Sequence, residues 1–245
     1  MISRYNEIIK RKFMDFTPDI VYEDNHLLVI IKPHNIAVQE DESKDDDLLN
    51  LLKNYIKARD NKPGNVFLGL VHRLDRPTGG VMVFAKTSKC AARLTEQLKN
   101  HEMSKNYLCV TLGKPLQDSA RLSCYLVKDA KTNTVSLATQ SDYGAKQATL
   151  EYQVLANYND MSLVKVKLLT GRSHQIRVQM SKQNNTVIFG DFKYGDKSHG
   201  GNLALWAYQL KFNHPISKKQ MVFTVLPDTE KVPWKAFVKD IDKLA

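Results

Sequence analysis

Five segments between Lys105 and Leu169 repeat their apolar residues mostly at every second position: Lys105 to Gly113, Arg121 to Val127, Thr134 to Ala138, Thr149 to Ala156 and Ser162 to Leu169. A period of two sends alternate side chains to opposite faces, the pattern of half-buried strands. Their connections are short, so neighbours pair antiparallel in a meander instead of crossing over through helices. Ile20 to Tyr22 and Leu27 to Ile31 read as a hairpin around Glu23-Asp24-Asn25, ended by Lys32-Pro33. Asn202 to Phe212 and Gln220 to Leu226 supply two further strands, and the tail from Lys231 a short helix. Helices are few. Leu48, Leu51, Leu52, Tyr55 and Ile56 recur at helical spacing behind Asp45 to Asp47, whose carboxylates suit the positive helix start. A second helix begins near Ser88, with Ala91, Leu94 and Leu98 on one face and Lys89, Arg93 and Lys99 left to solvent. The class is α+β. No linker or repeat divides the chain, so residues 18–245 read as one domain behind a basic N-terminal arm, residues 1–17.

The stretch His72-Arg73-Leu74-Asp75-Arg76-Pro77-Thr78-Gly79-Gly80 sets one carboxylate between two arginines at a chain reversal. An apolar run, Val66 to Val71, enters it as a strand would, and another, Val81 to Ala85, leaves it. Arg76 precedes proline and is biased away from helix, so the chain stays extended through Asp75 and turns at Pro77-Thr78-Gly79-Gly80. On a strand period, Arg73 and Asp75 share one face while His72 and Leu74 share the other. Asp75 then either hydrogen-bonds the turn with its side chain or presents a carboxylate to a ligand.

Composition narrows the partners. The 245 residues carry a formal net charge of +10, with a pI near 9.4, which suggests a polyanion: nucleic acid or an anionic membrane surface. No basic amphipathic helix with aromatic anchors stands out, which favours nucleic acid. No apolar run approaches a membrane span, and the first residues lack a signal peptide's unbroken apolar segment. Cys90, Cys109 and Cys124 lie far apart without a nearby histidine at ligand spacing, so neither a disulfide framework nor a zinc site is indicated and a reducing cytoplasm fits.

A second constellation follows the strand Ser162 to Leu169: Thr170-Gly171-Arg172-Ser173-His174-Gln175-Ile176-Arg177-Val178-Gln179-Met180. Ser173 reads as an N-cap, with Ile176, Arg177 and Met180 at helical spacing behind it. Two arginines around a helix start can bind anions through their forks and the backbone N–H groups, or remain solvated on a surface helix.

His72-Arg73-Leu74-Asp75-x-x-Thr78-x-Gly80 followed by Phe84-Ala85-Lys86-Thr87 resembles the signature of the RluA-type RNA pseudouridine synthases. The resemblance extends to Tyr22-Glu23-Asp24 through Lys32-Pro33, Lys105-Asn106-Tyr107, Gly171 to Arg177, Gly190-Asp191 with Tyr194-Gly195, His214-Pro215 and Phe223 to Pro227, covering roughly residues 18 to 230. It implies a mixed, mostly antiparallel sheet in two lobes with a central basic cleft, no metal or organic cofactor, and a cytoplasmic monomer that meets RNA rather than membrane. The first strand of the resemblance lies too near residue 1 for the separate N-terminal RNA-binding domain that some members carry, so none is expected here. The implied reaction isomerises uridine in ribosomal or transfer RNA: the glycosidic C–N bond breaks, the base rotates, and C5 forms the new bond. Asp75 stands where the family has its essential aspartate. Arg177 matches the arginine paired with it, and Tyr107 the tyrosine that stacks on the target base. Arg73 resembles the residue that fills the space a flipped base leaves, and Arg172, His174 and Gln175 are assigned to RNA binding. Three positions depart from the family pattern: Gly79 stands in place of serine, Gln179 of histidine, and Trp206 of histidine.

Two other classes compete. An RNA-binding or ribosome-assembly factor would use the same basic surface, although a pure binder has no need of a carboxylate facing a polyanion. A glycoside hydrolase would need paired carboxylates, and those near these motifs form no obvious pair.

Overall fold

The computed structural model describes residues 16–245 except 42, 44, 197 and 199. The basic arm expected over residues 1–17 therefore lies almost wholly outside the described residues. The chain runs β1 (Asp19–Glu23), β2 (Leu27–Lys32), α1 (Leu48–Arg59), β3 (Gly69–Leu70), β4 (Gly79–Ala85), α2 (Ser88–Lys99), β5 (Ser104–Leu112), β6 (Ser119–Asp129), β7 (Thr134–Ala138), β8 (Lys146–Tyr158) and β9 (Met161–Leu168). It continues through α3 (Gln175–Gln183), β10 (Val187–Ile188), β11 (Leu205–Asn213), β12 (Gln220–Thr224) and α4 (Val238–Ile241).

These strands form one sheet in the order β1-β2-β4-β11-β5-β9-β8-β6-β7, with β3, β10 and β12 pairing off that path. Among the described residues the β4–β11 ladder is parallel and the other ladders are antiparallel. The five strands expected from period two are present as β5, β6, β7, β8 and β9, but they do not form the expected meander: β5 pairs with β9, and only β6–β7 and β8–β9 are hairpin neighbours. Their spatial order departs from sequence order, because β6 lies between β7 and β8 and the chain from 139 to 145 crosses from one flank of β6 to the other. A large apolar cluster joins Leu48, Leu52 and Ile56 of α1 to Met82 and Phe84 of β4 and Leu108 and Val110 of β5. Leu94 of α2 packs in a second cluster with Leu27, Val29, Val81 and Val83.

Local chemistry explains the helix starts. Asp47 caps α1, its carboxylate accepting the Asn50 N–H at 3.0 Å, and Thr87 caps α2 by accepting the Cys90 N–H at 3.3 Å. The expected Ser173 cap on α3 is not formed. His174 occupies the cap position in left-handed backbone, φ 51° and ψ 18°, without a side-chain capping bond. Gln175 instead braces the segment that leads into the helix, its Oε1 accepting the Arg172 N–H at 3.0 Å and the Thr170 hydroxyl at 2.8 Å. The strand expected over Val66 to Val71 is shorter than its apolar run, reaching only Gly69–Leu70.

Gly79 and Trp206 face each other across the parallel ladder. A Cβ on Gly79 would run into the Trp206 ring, and one on Gly80, where φ is +122°, would run into the backbone of Ala207. Positions 79 and 206 are thus sterically coupled: the indole fills the volume that a serine side chain at 79 would occupy. Its Nε1 donates to Val225 O at 2.8 Å, which fixes the ring there. We expect Gly79→Ser to destabilise the protein by about 1–3 kcal/mol through overpacking, and Trp206→His in the same chain to recover most of that loss, as read from urea unfolding midpoints.

Candidate active site

Asp75 lies in the connection between β3 and β4. Although residues 71–76 join no ladder, the side chains alternate as the sequence predicts: His72 and Leu74 are buried, Arg73 is exposed and Asp75 is half-buried. The turn is closed by the backbone, Thr78 N–H donating to Asp75 O at 2.9 Å. That leaves the Asp75 carboxylate unused by the turn, which decides against a purely local role for it. Its nearest basic side chains are Arg177, with Nη1 at 3.6 Å, and His174, with Nε2 at 4.0 Å.

The second guanidinium of the motif goes elsewhere. Arg76 turns away from Asp75 and binds Asp41 and Asp45 at 2.9 and 2.8 Å, with Ser43 beside them. Its hydrogen bonds with Ser43 and the guanidinium bring the Asp41 carboxyl down to about 2. The picture of one carboxylate between two flanking arginines is corrected accordingly: Asp75 is served by the distant Arg177, while Arg76 ties the Asp41–Asp45 loop to the rim.

Arg177 points at Asp75 because its other nitrogens are occupied. Nε and Nη2 donate to the two oxygens of Asp191 at 2.8 and 2.7 Å, and the guanidinium lies 5.0 Å from the Tyr194 ring centroid. Both members of this pair are buried. Burial works against the Arg177 charge, but the bonds to Asp191 and the charges of Asp191 and Asp75 outweigh it and raise its pKa.

Tyr107 comes from β5, between β11 and β9, and lines the same cleft as Asp75. It is buried, and burial followed by the nearby Asp75 charge pushes its phenol well above the ordinary tyrosine range. The ring therefore stays neutral at physiological pH. The cleft holds about 1030 Å³ and, among the described residues, is lined by eight lysines and arginines against three carboxylates. Arg73 and Arg172 are exposed on its wall. Arg172 Nε donates to Gln147 O at 2.9 Å, which leaves the rest of its fork to a ligand. Lys105 also lines the cleft, and burial together with the Arg172 charge lowers its pKa. Two cations facing one another without a carboxylate between them suit a phosphate. His174 lines the cleft, whereas Gln175 is turned inward, donating to Gln179 Oε1 at 3.0 Å in addition to its two accepted bonds. Gln179 is itself buried and passes a bond on to Gln183 at 2.9 Å, so this departure from the family pattern extends an internal amide ladder along α3.

Sequence reasoning passed over Lys32, Asp191 and Tyr194 as site residues. Lys32 is fully buried beneath the Asp75 loop and donates to the carbonyls of Pro33, Arg76 and Thr78 at 2.9, 3.0 and 2.8 Å. Its only signal in the sequence was a lysine ending an otherwise apolar strand. Burial brings its ammonium down to about 7, with the Asp75 charge opposing the shift and Arg76 adding to it. Among the described residues no three His, Cys, Asp or Glu side chains are grouped so as to hold a metal ion.

A lysine with a folded pKa below its unfolded value binds fewer protons when folded, so its penalty is fully present below about 7 and is relieved as pH rises toward 10.5. We expect Lys32→Met to remove that part of the stability gain between those limits, measured as the difference in unfolding free energy between variant and wild type across pH.

Comparison with known proteins agrees with this geometry. Residues 26–182 match the RNA pseudouridylate synthase family model. Over 221 residues the chain is 34% identical to ribosomal large subunit pseudouridine synthase D of Zymomonas mobilis, covering 85% of this chain and 69% of that one. Over 240 residues it is 30% identical to tRNA pseudouridine synthase C of Pectobacterium carotovorum, covering 90% and 61%. A solved structure, Human RNA Pseudouridylate Synthase Domain Containing 4, aligns over 99% of this chain and 98% of its own with a TM-score of 0.74; at 21% identity it shows likeness of fold. A match spanning the Asp75 loop, β5 and α3 settles the family: the chain belongs to the RNA pseudouridylate synthases, enzymes that isomerise uridine within RNA.

Proposed function

We propose that residues 18–245 form a catalytic domain that converts uridines of ribosomal or transfer RNA to pseudouridine in the cytoplasm, as a monomer, with Asp75 as the reacting carboxylate. The observation that carries the reading is a half-buried carboxylate in a basic cleft, flanked by the Arg177 guanidinium at 3.6 Å and left out of its own turn. A nearby guanidinium orients such a group. Among the described residues no helix is long and apolar enough to cross a membrane.

The roles follow from position. Asp75 engages the nucleoside as the N1–C1′ bond breaks; the base turns, C5 bonds to C1′, and the C5 proton leaves as N1 gains one. The neutral Tyr107 ring stacks against the base, and its phenol, in the same cleft as Asp75, assists removal of the C5 proton. A stacked uridine is out of reach, so it is flipped into the cleft, and the exposed Arg73 fills the gap it leaves. Arg172 and Lys105 take backbone phosphates, and His174 faces the same cleft. Gln175 serves the RNA indirectly by holding the Thr170–Arg172 backbone. The relatives named above act on large-subunit ribosomal RNA or on transfer RNA, so both are candidate substrates.

Asp75→Asn should abolish pseudouridine formation in unmodified transcripts of either RNA while binding persists, because binding rests on many phosphate contacts. Pseudouridine made by that variant at the wild-type rate would refute Asp75 as the reacting group, whereas full growth rescue of a deletion strain by Asp75→Ala would favour a role in RNA binding or ribosome assembly. Arg172→Ala and Lys105→Ala should each weaken binding across sequences and reduce the slope of log affinity against log salt by about one.

A further inference from the structure

Asp75 has two charged or polar neighbours across the cleft, and one short turn, Asp191 to Asp196, grips both from behind. Asp191 holds Arg177, and Tyr194 holds His174 through a hydrogen bond of 2.6 Å between Oη and Nδ1. Asp191 also accepts the Tyr194 N–H at 3.2 Å, which ties the two grips together.

The protons on the second grip can be placed. Tyr194 Oη accepts the Val135 N–H at 2.9 Å, so the phenol's single proton is free to point at His174 Nδ1. The phenol and Nδ1 are both satisfied when Nδ1 accepts that proton, which puts the proton of His174 on Nε2, the nitrogen 4.0 Å from Asp75 Oδ2. The left-handed backbone at His174, with φ 51°, is strained for a residue other than glycine. A helix start does not require it, and Gln175 already braces the segment before it. What accompanies it is an imidazole set between Tyr194 and Asp75.

We propose that Tyr194 and His174 are a positioning pair for Asp75: the phenol fixes His174 as the neutral Nε2–H tautomer, which gives the carboxylate a second donor as bound RNA closes the 4.0 Å gap. Hydrogen bonds that are long in a free enzyme commonly tighten in the substrate complex. This rests on the reading of Asp75 as the reacting group. The groups that act on His174 are Asp75 from the β3–β4 loop, Arg177 from α3, Lys193 and Tyr194 from the turn, and Lys128 from β6. Burial lowers its pKa, Asp75 opposes that, and the three cations add to the lowering, so the ring is neutral at physiological pH. Activity that needs the neutral ring falls as pH drops through this pKa. Removing the phenol frees Nδ1 to take a proton, which moves the acid limb to higher pH.

The test combines two readouts on the full chain. Histidine 15N chemical shifts followed across pH should show His174 as Nε2–H in the wild type, and as a tautomer mixture titrating at higher pH in Tyr194→Phe, which keeps the ring over Arg177. On unmodified transcripts of large-subunit ribosomal RNA and transfer RNA, Tyr194→Phe should lose about tenfold in kcat, the effect of one hydrogen bond, with KM unchanged and the acid limb raised. His174→Gln, which keeps an N–H near the Nε2 position but cannot titrate, should retain part of the rate and lose the limb. An Nδ1–H tautomer in the wild type would overturn the pair, and so would an unchanged kcat and pH profile in Tyr194→Phe. A wild type inactive on both transcripts would overturn the function reading, while the tautomer measurement still decides the pair.

Discussion

The buried fork between Arg177 and Asp191 is the interaction on which the site depends. Two of the three guanidinium nitrogens are committed to Asp191, at 2.8 and 2.7 Å, so only Nη1 faces Asp75. A lone arginine on a short helix would sample many directions; this one has a single direction before any RNA arrives. Such advance orientation of charge is worth more in a water-poor cleft than at an open surface. Breaking a buried pair from one side costs roughly 3–5 kcal/mol because the remaining charge has no partner, which ties the local stability of the turn to the geometry of the site.

The opposite wall is built by a different device. The Asp75 loop joins no ladder, so its carbonyls need donors from elsewhere, and buried Lys32 supplies two hydrogen bonds to them, at Arg76 and Thr78, and a third to Pro33. Behind the loop, Gly80 lets β4 and β11 approach in parallel, and the Gly79–Trp206 contact fills the remaining volume. Arg76 reaches outward to two aspartates and holds the neighbouring loop at the rim. Asp75 is thereby fixed through backbone contacts, with its carboxylate left to its functional neighbours.

Much of this was legible in the sequence, for identifiable reasons. Period-two runs and capping carboxylates are local signals, and they located the strands, α1 and α2 closely. The alternation of His72, Arg73, Leu74 and Asp75 survived even where no ladder formed, because two apolar or neutral side chains pack inward regardless of pairing. The position of β6 between β7 and β8 was not legible, since strand order depends on contacts that no local period encodes. Ser173 was expected to cap α3 because serine does so in most contexts; here Gln175 instead braces the segment before the helix, an arrangement visible only once Thr170 and Arg172 are folded against it. Lys32, Asp191 and Tyr194 escaped as site residues for the same reason. Each acts on a residue far away in the chain, and a lysine ending a strand or a tyrosine in a glycine-flanked turn has ordinary local explanations.

The most direct measurement of whether the Arg177–Asp191 fork orients the reacting carboxylate is single-turnover pseudouridine formation by Asp191→Asn, on unmodified ribosomal and transfer RNA transcripts, with folding checked by circular dichroism. Asparagine keeps the shape of the side chain but loses the charge and one acceptor for the fork. We expect a folded protein that binds RNA as the wild type does and turns over at least about a hundredfold more slowly, equivalent to near 2.7 kcal/mol in the barrier. A folded Asp191→Asn protein with wild-type turnover would contradict it.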